Sequence, residues 1–192
     1  MMKYFKNIAL FCILTMMTLS CGNGYQWGSA NTLSHSYNTI HTPYVDGDND
    51  GKLTAAIVRE LETSTGGLSY QQHSGELILH VKILDSYSEN IGYRHKKDDN
   101  DDSLENIIQV ESRLITKVEV SIEETATGKI ISGPTLIDDS VDYDYDFDSN
   151  RTNLLAYSLG QMTTNENARG IVEDPLNVAL ARKIVSYINH IW

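Results

Sequence analysis

Residues 112–131 read SRLITKVEVSIEETATGKII, and this stretch decides the fold class that the sequence predicts. Apolar or small side chains alternate with charged or polar ones through its first half, which is the period of a β-strand with one buried face. Ala126–Gly128 supplies a turn, and a further strand begins at Lys129. The inward set is Leu114, Thr116, Val118, Val120 and Ile122, and the outward set is Lys117, Glu119, Ser121 and Glu123. We therefore expect an antiparallel hairpin that covers a hydrophobic core on one side.

The residues before this hairpin predict two more strands and one helix. Residues 35–45 alternate weakly and favour a strand that ends near Pro43. A helix follows, with an apolar stripe at intervals of four that ends before the glycines at 66–67: Leu53, Ile57 and Leu61. A second strand is predicted from alternating positions on one face: Leu77, Leu79, Val81 and Ile83. Residues 94–103, RHKKDDNDDS, are predicted to form a charged loop.

The residues after the hairpin predict an aromatic strand and a closing helix. The fourth strand bends at Gly133-Pro134 and resumes at 141–148, VDYDYDFD. Its aromatic face is either core or a surface for a partner, and we favour core for Tyr143 and Phe147, since the helices must cover one face of the sheet. The last helix begins with Asp174 as N-cap and a proline at the next position. Its apolar stripe is Leu180, Ile184, Ile188 and Ile191.

These elements give the order β-α-β-β-β-α. A strand–helix–strand opening favours a parallel crossover, and the later meander is antiparallel. We therefore predict an α+β fold, a two-layer sandwich with one mostly antiparallel four-stranded sheet and two helices on one of its faces. The predicted domain spans residues 35–192.

The first 20 residues predict an export signal. Lys3 and Lys6 precede an apolar run of about 12 residues, which is too short to span a bilayer and is typical of a secretory signal peptide. Ser20 directly before Cys21 resembles a lipobox, the processing site of bacterial lipoproteins. Because Cys12 would be removed with the signal, Cys21 would be the only thiol left, and we predict that it is lipidated. Residues 21–34 then form the lipidated N-terminus and a flexible tether.

Composition limits the class of partner. The chain has 192 residues with 15 Lys and Arg against 26 Asp and Glu, a formal net charge of −11. Such acidity argues against a nucleic-acid partner, because a phosphate backbone attracts a dense basic surface. A hydrophobic content of 41% supports a packed core.

Two charged segments are candidate sites. Asp46, Asp48 and Asp50, followed by a glycine, resemble the start of an EF-hand calcium loop, but the position of the bidentate glutamate is Ile57. The alternative is an acidic turn that caps the next helix, and we favour that alternative over a metal site. The basic run Arg94, Lys96 and Lys97 would meet lipid phosphates, or is a solvated loop beside four aspartates, and we favour the solvated loop.

Catalytic and cofactor motifs do not occur in the sequence. The six histidines show no HxxxH or HExxH spacing, and neither GxSxG nor a phosphate-binding loop occurs. We therefore expect no enzyme activity and no cofactor.

The element order on a lipoprotein of this size resembles the LptE family of lipopolysaccharide-assembly lipoproteins. The likeness is carried by Cys21 followed by Gly24-Tyr25, and by five longer segments. These segments are YNTIHTPYV (37–45), LTAAIVRELE (53–62), GELILHVKILDSYSE (75–89), SRLITKVEVSIEETATGKII (112–131) and PLNVALARKIVSYINHIW (175–192).

This resemblance implies a non-catalytic protein that is lipid-anchored in the outer membrane, on the periplasmic side or inside a barrel. Its partner would be a large β-barrel of the LptD type, and lipopolysaccharide itself is a candidate ligand, for which the candidate binding residues are Arg94, Lys96 and Lys97. The alternative function is a surface or periplasmic lipoprotein that binds calcium or another ligand.

Overall fold

The computed structural model describes residues 32–64, 67–97, 103–145 and 165–191. The three helices are α1 (Thr32–Ser36), α2 (Lys52–Thr63) and α3 (Asn165–Asn189). The five strands are β1 (Thr39–His41), β2 (Ser69–Tyr70), β3 (Leu77–Lys97), β4 (Ser103–Glu124) and β5 (Lys129–Asp144). The signal segment, Cys21 and Phe147 lie outside the described residues.

The strands form one sheet in the order β2-β1-β3-β4-β5. β1 is parallel to both of its neighbours, whereas β3, β4 and β5 form an antiparallel meander. The α+β class and the parallel opening are therefore confirmed. The predicted count of four strands is wrong, because the sheet also contains the two-residue strand β2. This strand is too short to leave a periodic signal in the sequence.

The predicted hairpin is confirmed side chain by side chain. Val118, Val120 and Ile122 are fully buried, and Leu114 and Thr116 nearly so, whereas the residues between them are exposed or half-buried. Facing residues of β3, namely Leu77, Leu79 and Val81, are buried against the same core. Alternation predicted this register because a slip of one residue would turn every apolar side chain toward water.

Of the charged segment 94–103, which the sequence predicted as a loop, residues 94–97 and 103 belong to strands, and residues 98–102 lie outside the described residues. β3 continues to Lys97 and β4 starts at Ser103, with Arg94 paired to Ile108 and His95 to Ile107. A strand in this position does not bury its charges, since Arg94 and His95 remain exposed. The result is a β3–β4 hairpin whose strands are 21 and 22 residues long.

β5 runs without interruption through Gly133-Pro134, where the sequence predicted a bend that breaks the strand. The pairing with β4 shifts register here instead, between Val120 and Ile122. The Gly133-Pro134 peptide is cis, and Gly133 has a φ of +93°. A Cβ at Gly133 would lie 2.5 Å from the carbonyl oxygen of Val120, so only glycine fits this shift.

The segment predicted as a first strand over 35–45 is mostly not a strand. α1 occupies Thr32–Ser36, which also overlaps the end of the predicted tether, and β1 keeps only Thr39–His41. β1 is nevertheless central to the core, because Ile40 is fully buried between β2 and β3. The alternation of this segment is weak because β1 has only one residue, Ile40, whose side chain is buried in the core.

The last helix begins ten residues earlier than predicted. α3 starts at Asn165 and passes through Pro175. Proline in a helix interior removes one backbone donor and leaves one carbonyl without its i+4 partner. The residues that α3 buries include Ala168 and Leu176, ahead of the predicted Leu180, Ile184 and Ile188. Burial of these earlier side chains offsets the cost of the hydrogen bond that Pro175 removes.

Both long helices lie on the same face of the sheet, as predicted. The larger core cluster joins the stripes of α2 and α3 to β1, β3 and β4. A second cluster lies farther along the hairpin, where α3 covers the aromatic end of β5: Leu114, Tyr143, Tyr145, Ala168 and Leu176. Tyr143 is therefore a core residue, as the sequence favoured. In the described part of the chain, no helix combines the length and the apolar character that a membrane crossing requires.

Candidate interaction surface

The face of the sheet opposite the helices, called here the outer face, is not covered by any element among the described residues. It alternates with the buried positions along β3, β4 and β5. Its main side chains are His80, Lys82, Asp85, Tyr87, Glu89, Arg113, Lys117, Glu119, Glu123, Leu136 and Asp142.

Charged side chains on the outer face are paired across strands. Arg113 donates two hydrogen bonds to Asp142, from Nε to Oδ1 at 2.6 Å and from Nη2 to Oδ2 at 2.9 Å. These bonds lower the pKa of the Asp142 carboxyl and raise the pKa of Arg113. His80 Nε2 lies 2.8 Å from Glu123 Oε2, and Lys117 Nζ lies 5.4 Å from the ring centre of Tyr87. Such pairs fix the register of the strands more than they stabilise the fold.

Large apolar side chains interrupt this charged pattern. Leu136 is 70% exposed and Ile107 is 63% exposed, and both lie on the outer face. Tyr93 and Ile130 are also more than half exposed on this face. Apolar groups with a rim of paired charges are the composition expected of a surface that meets another protein.

The inner face of the hairpin changes from apolar to polar beyond Ile83. Ser86 Oγ and Thr116 Oγ1 lie 3.0 Å apart, and Ser112 Oγ donates to Asn90 Oδ1 at 2.9 Å. The hydroxyl of Tyr143 lies 3.1 Å from both Ser88 Oγ and Asn165 Oδ1, so it joins β5 to β3 and to the start of α3.

The sequence analysis missed this polar set. The small polar residues at every second position of SYSEN (86–90) are the signal that could have found it.

The turn that holds Asp46, Asp48 and Asp50 is organised as a helix cap. Asp48 is 5% exposed, and its Oδ2 accepts hydrogen bonds from Thr54 N at 2.8 Å and Thr54 Oγ1 at 2.6 Å. Asp50 Oδ1 accepts from the backbone nitrogen of Lys52 at 3.1 Å. These contacts satisfy first-turn donors of α2.

The three aspartates of this turn do not point to a common centre. Asp46 lies away from the cap, 3.7 Å from Lys82. Over the described ranges, no group of three histidine, cysteine, aspartate or glutamate side chains is placed to hold a metal. The absence of a metal site remains a prediction.

An open cleft of about 290 Å³ lies beside this turn. Its floor is the inner face at Ile83, Ser86 and Thr116, and its walls are the turn at Asp48–Asp50 and α3 at Glu173. Lys52 Nζ lies 2.9 Å from Asp174 Oδ1 and thereby joins α2 to α3 near this cleft. The hydrogen bond to Asp174 raises the pKa of Lys52.

The candidate lipopolysaccharide-binding residues Arg94, Lys96 and Lys97 all belong to the C-terminal end of strand β3 rather than to a loop. Arg94 is exposed near the end of the hairpin. The side chains of Lys96 and Lys97 lie outside the described part of the structure, as does Cys21.

No protein-family model matches the chain, and no curated protein sequence matches it either. Among solved structures, the minor lipoprotein of Acinetobacter baumannii is similar with a TM-score of 0.47 and 14% identity, covering 80% of this chain and 94% of that chain. Rare lipoprotein B of Shewanella oneidensis has a TM-score of 0.43 and 16% identity, over 79% and 93%. An uncharacterized lipoprotein B of Nitrosomonas europaea has a TM-score of 0.40 and 11% identity, over 80% and 81%. All three TM-scores are below 0.5, so these similarities leave the family of this chain open.

Proposed function

We propose that this protein is a non-catalytic outer-membrane lipoprotein that assists a β-barrel translocon of the LptD type in lipopolysaccharide assembly. The observation that carries the proposal is the outer face, which extends along the hairpin without a covering element among the described residues. A subunit that works only with a large partner keeps such a surface available. The export signal, Cys21 and the likeness to the LptE family in the sequence support the same role.

The geometry supports binding through shape and apolar contact. Leu136 and Ile107 offer exposed aliphatic surface, while ion pairs such as Arg113–Asp142 have already satisfied many of the charges. Charges paired within one protein add little net affinity for a partner, but they exclude partners of the wrong charge pattern. The apolar side chains would therefore supply most of the affinity for the barrel.

Affinity purification from membranes tests the partner. The tagged full chain should bring down one large β-barrel in a stoichiometric amount. The double variant Leu136→Glu/Ile107→Glu should lower this recovery by about tenfold or more, since each substitution places an unpaired charge in an apolar contact. If no stoichiometric barrel is recovered with the unchanged protein, the proposal is wrong.

Ile171 supplies a matched control for this experiment. It is 69% exposed, almost as much as Leu136, but it lies on α3, away from the outer face. Ile171→Glu should leave the recovery of the barrel unchanged. Equal losses for Ile171→Glu and the double variant would show that the outer face is not the contact surface.

Metabolic labelling tests the anchor. A palmitate-type label should enter the unchanged protein and Cys12→Ala but not Cys21→Ala. Label that persists in Cys21→Ala would contradict the lipoprotein assignment and the membrane localisation that depends on it.

A further inference from the structure

The strand β3 has a free edge between Asp85 and Asn90. On this side of β3, the last backbone hydrogen bonds join Asp46 N to Val81 O at 3.0 Å and Ile83 N to Asp46 O at 2.8 Å. Beyond Ile83, no described residue pairs with this edge. Within the free stretch the pairing of β3 with β4 keeps one register, so the edge is regular there.

The backbone groups that reach this edge follow from the pairing of β4 with β5. Tyr145 N donates to Val110 O at 3.0 Å, so even-numbered residues of β4 between 110 and 118 direct their backbone groups toward β5. The residues of β3 opposite these even positions therefore direct their N–H and C=O groups away from β4. Two of them are Ser86 and Ser88, both exposed. No described residue bonds to their backbone groups, so these groups can pair with an extended segment of another chain.

The open cleft of about 290 Å³ beside the capping turn of α2 adjoins the free edge, because Ser86 belongs to both. Three apolar side chains contribute to its lining: Ile83, Leu114 and Leu176. Three carboxylates stand beside them: Asp48, Asp50 and Glu173. The described residues that line the cleft include neither lysine nor arginine. This combination suits a side chain with an alkyl stem and a cationic head.

The three carboxylates of the cleft are incompletely paired. Asp48 is 5% exposed, and its Oδ2 accepts two hydrogen bonds, whereas its Oδ1 accepts none from the described residues. Asp50 Oδ2 lies 3.7 Å from Lys52 Nζ. Glu173 Oε1 lies 3.5 Å from Arg169 Nε. Both distances exceed the roughly 2.7–2.9 Å of a charge-assisted hydrogen bond, so the cleft keeps acceptor capacity for a cation from outside.

We propose that this cleft takes the side chain of an arginine from an extended segment of another protein, and that the segment pairs with the free edge of β3. Directly opposite residues on adjacent strands place their side chains on the same face of a sheet. An arginine opposite Ser86 therefore lies on the face where Ser86 lines the cleft. Its guanidinium has five donors for the carboxylates, and its stem covers the apolar lining.

This docking site goes beyond the proposed function, since it is separate from the outer face at Leu136 and Ile107. The net charge of −11 favours a basic segment over an acidic one at the stage of encounter. The edge supplies hydrogen bonds to any extended backbone, and the cleft supplies the preference for arginine.

Binding of labelled peptides to the full chain, purified in detergent, tests this inference by fluorescence anisotropy. The first probe is a blocked heptapeptide of threonine and valine with one central arginine, and the second carries the neutral citrulline in place of the arginine. The arginine peptide should bind more tightly by about tenfold or more, because only its side chain carries the charge that the carboxylates attract. A third probe is the arginine peptide with every backbone nitrogen methylated. It should lose about tenfold or more in affinity, because it cannot donate to the edge.

Two variants of the protein locate the charge effect. Asp50→Asn/Glu173→Gln removes two carboxylate charges of the cleft. It should bind the arginine peptide about tenfold more weakly and the citrulline peptide like the unchanged protein, which also shows that the variant is folded. The control Glu62→Gln/Asp138→Asn removes as much charge at exposed positions on α2 and β5. It should bind both peptides like the unchanged protein.

Three results would overturn the inference. Equal affinity for the arginine and citrulline peptides would show that the cleft does not select the cation. Equal losses in the two double variants would show that only the net charge attracts the peptide. Absence of binding by the arginine peptide, which is expected when another part of the same chain fills the cleft, would exclude the site altogether. Undiminished binding of the methylated peptide would contradict the pairing with β3.

Discussion

Replacing Tyr143 tests whether the aromatic end of β5 is a core element or a partner surface. The ring is 5% exposed and packs in the second core cluster with Leu114, Ala168 and Leu176. Its hydroxyl contacts Ser88 and Asn165. Tyr143→Ala removes both the ring and the hydroxyl, whereas Tyr143→Phe removes only the hydroxyl.

The expected magnitudes follow from these contacts. Truncating a buried aromatic ring to alanine costs about 3 kcal/mol or more, because the cavity left behind collapses only partly. Loss of the hydroxyl bonds adds about 1 kcal/mol, since Ser88 and Asn165 are exposed and can bond to water instead. For a domain of this size, 1 kcal/mol corresponds to roughly 2–4 °C in melting temperature. Tyr143→Ala should therefore lower the melting temperature by about 8–16 °C and Tyr143→Phe by about 2–4 °C.

Thermal unfolding of a soluble form that begins at residue 22, followed by circular dichroism, measures both variants. Tyr93→Ala provides the matched control, because Tyr93 is 57% exposed on the same hairpin and its loss should shift the midpoint by less than about 2 °C. If Tyr143→Ala also shifts the midpoint by less than about 2 °C, the ring contributes no core packing and the assignment of the second cluster is wrong.

Three further predictions concern the cap, the strand shift and the charged face. Asp48→Ala should lower the free energy of unfolding in urea by about 1–2 kcal/mol, whereas Asp50→Ala, at an exposed position, should change this free energy by less than about 0.5 kcal/mol. Equal effects of the two substitutions would contradict the capping role of Asp48. In the same assay, Gly133→Ala should lower the free energy of unfolding by more than about 1 kcal/mol, because the φ of Gly133 is positive and the added Cβ would meet Val120 O. The control Gly170→Ala should be neutral or stabilising, because a Cβ at Gly170 meets nothing within 4 Å. Asp142→Asn should lower the melting temperature at neutral pH, because the ionised Asp142 stabilises the folded state through Arg113. A carboxylate whose pKa is lower in the folded state than in the unfolded state loses this stabilising effect as it is protonated. The difference from the unchanged protein should therefore shrink as pH falls below about 4. A difference that persists at pH 2 would contradict the pairing with Arg113.

The alternation in β4 predicted its structure well because burial on one face of a strand is a local property with a period of two. The start of α3 was harder to predict, because Asp174-Pro175 is a strong local signal for a helix N-terminus. The competing signal is the apolar spacing of four from Ala168 through Val172 to Leu176, which becomes meaningful only when the tyrosines of β5 provide a surface to cover. Tertiary packing therefore overrode the preference of proline for the first turn of a helix.

At the candidate sites, too, the sequence predicted what depends on local spacing and missed what depends on tertiary contacts. The sequence placed Asp48 in a capping turn because its spacing from the apolar stripe of α2 is short and local. It could not place Arg94 on a strand, since a charged segment in an exposed hairpin has the same composition as a loop. The small polar residues at alternate positions of 86–90 are visible in the sequence, but the partners of Ser86 and Ser88 lie 30 and 55 positions away, so the sequence does not show which residues they contact.

The arrangement of the sheet also sets an order of assembly. β3, β4 and β5 follow one another along the chain and pair with their sequence neighbours, so each hairpin can form first from the residue pairs nearest its turn, such as Glu124 and Lys129, and extend from there. β1 must instead be brought beside β3 across the whole of α2, and it pairs there through only two residues. The meander is thus expected to nucleate folding, with the N-terminal segment docking late. In native-state hydrogen exchange, the amides of β4 should be the slowest to exchange, and those of β1 should exchange through a partial opening that leaves the meander intact.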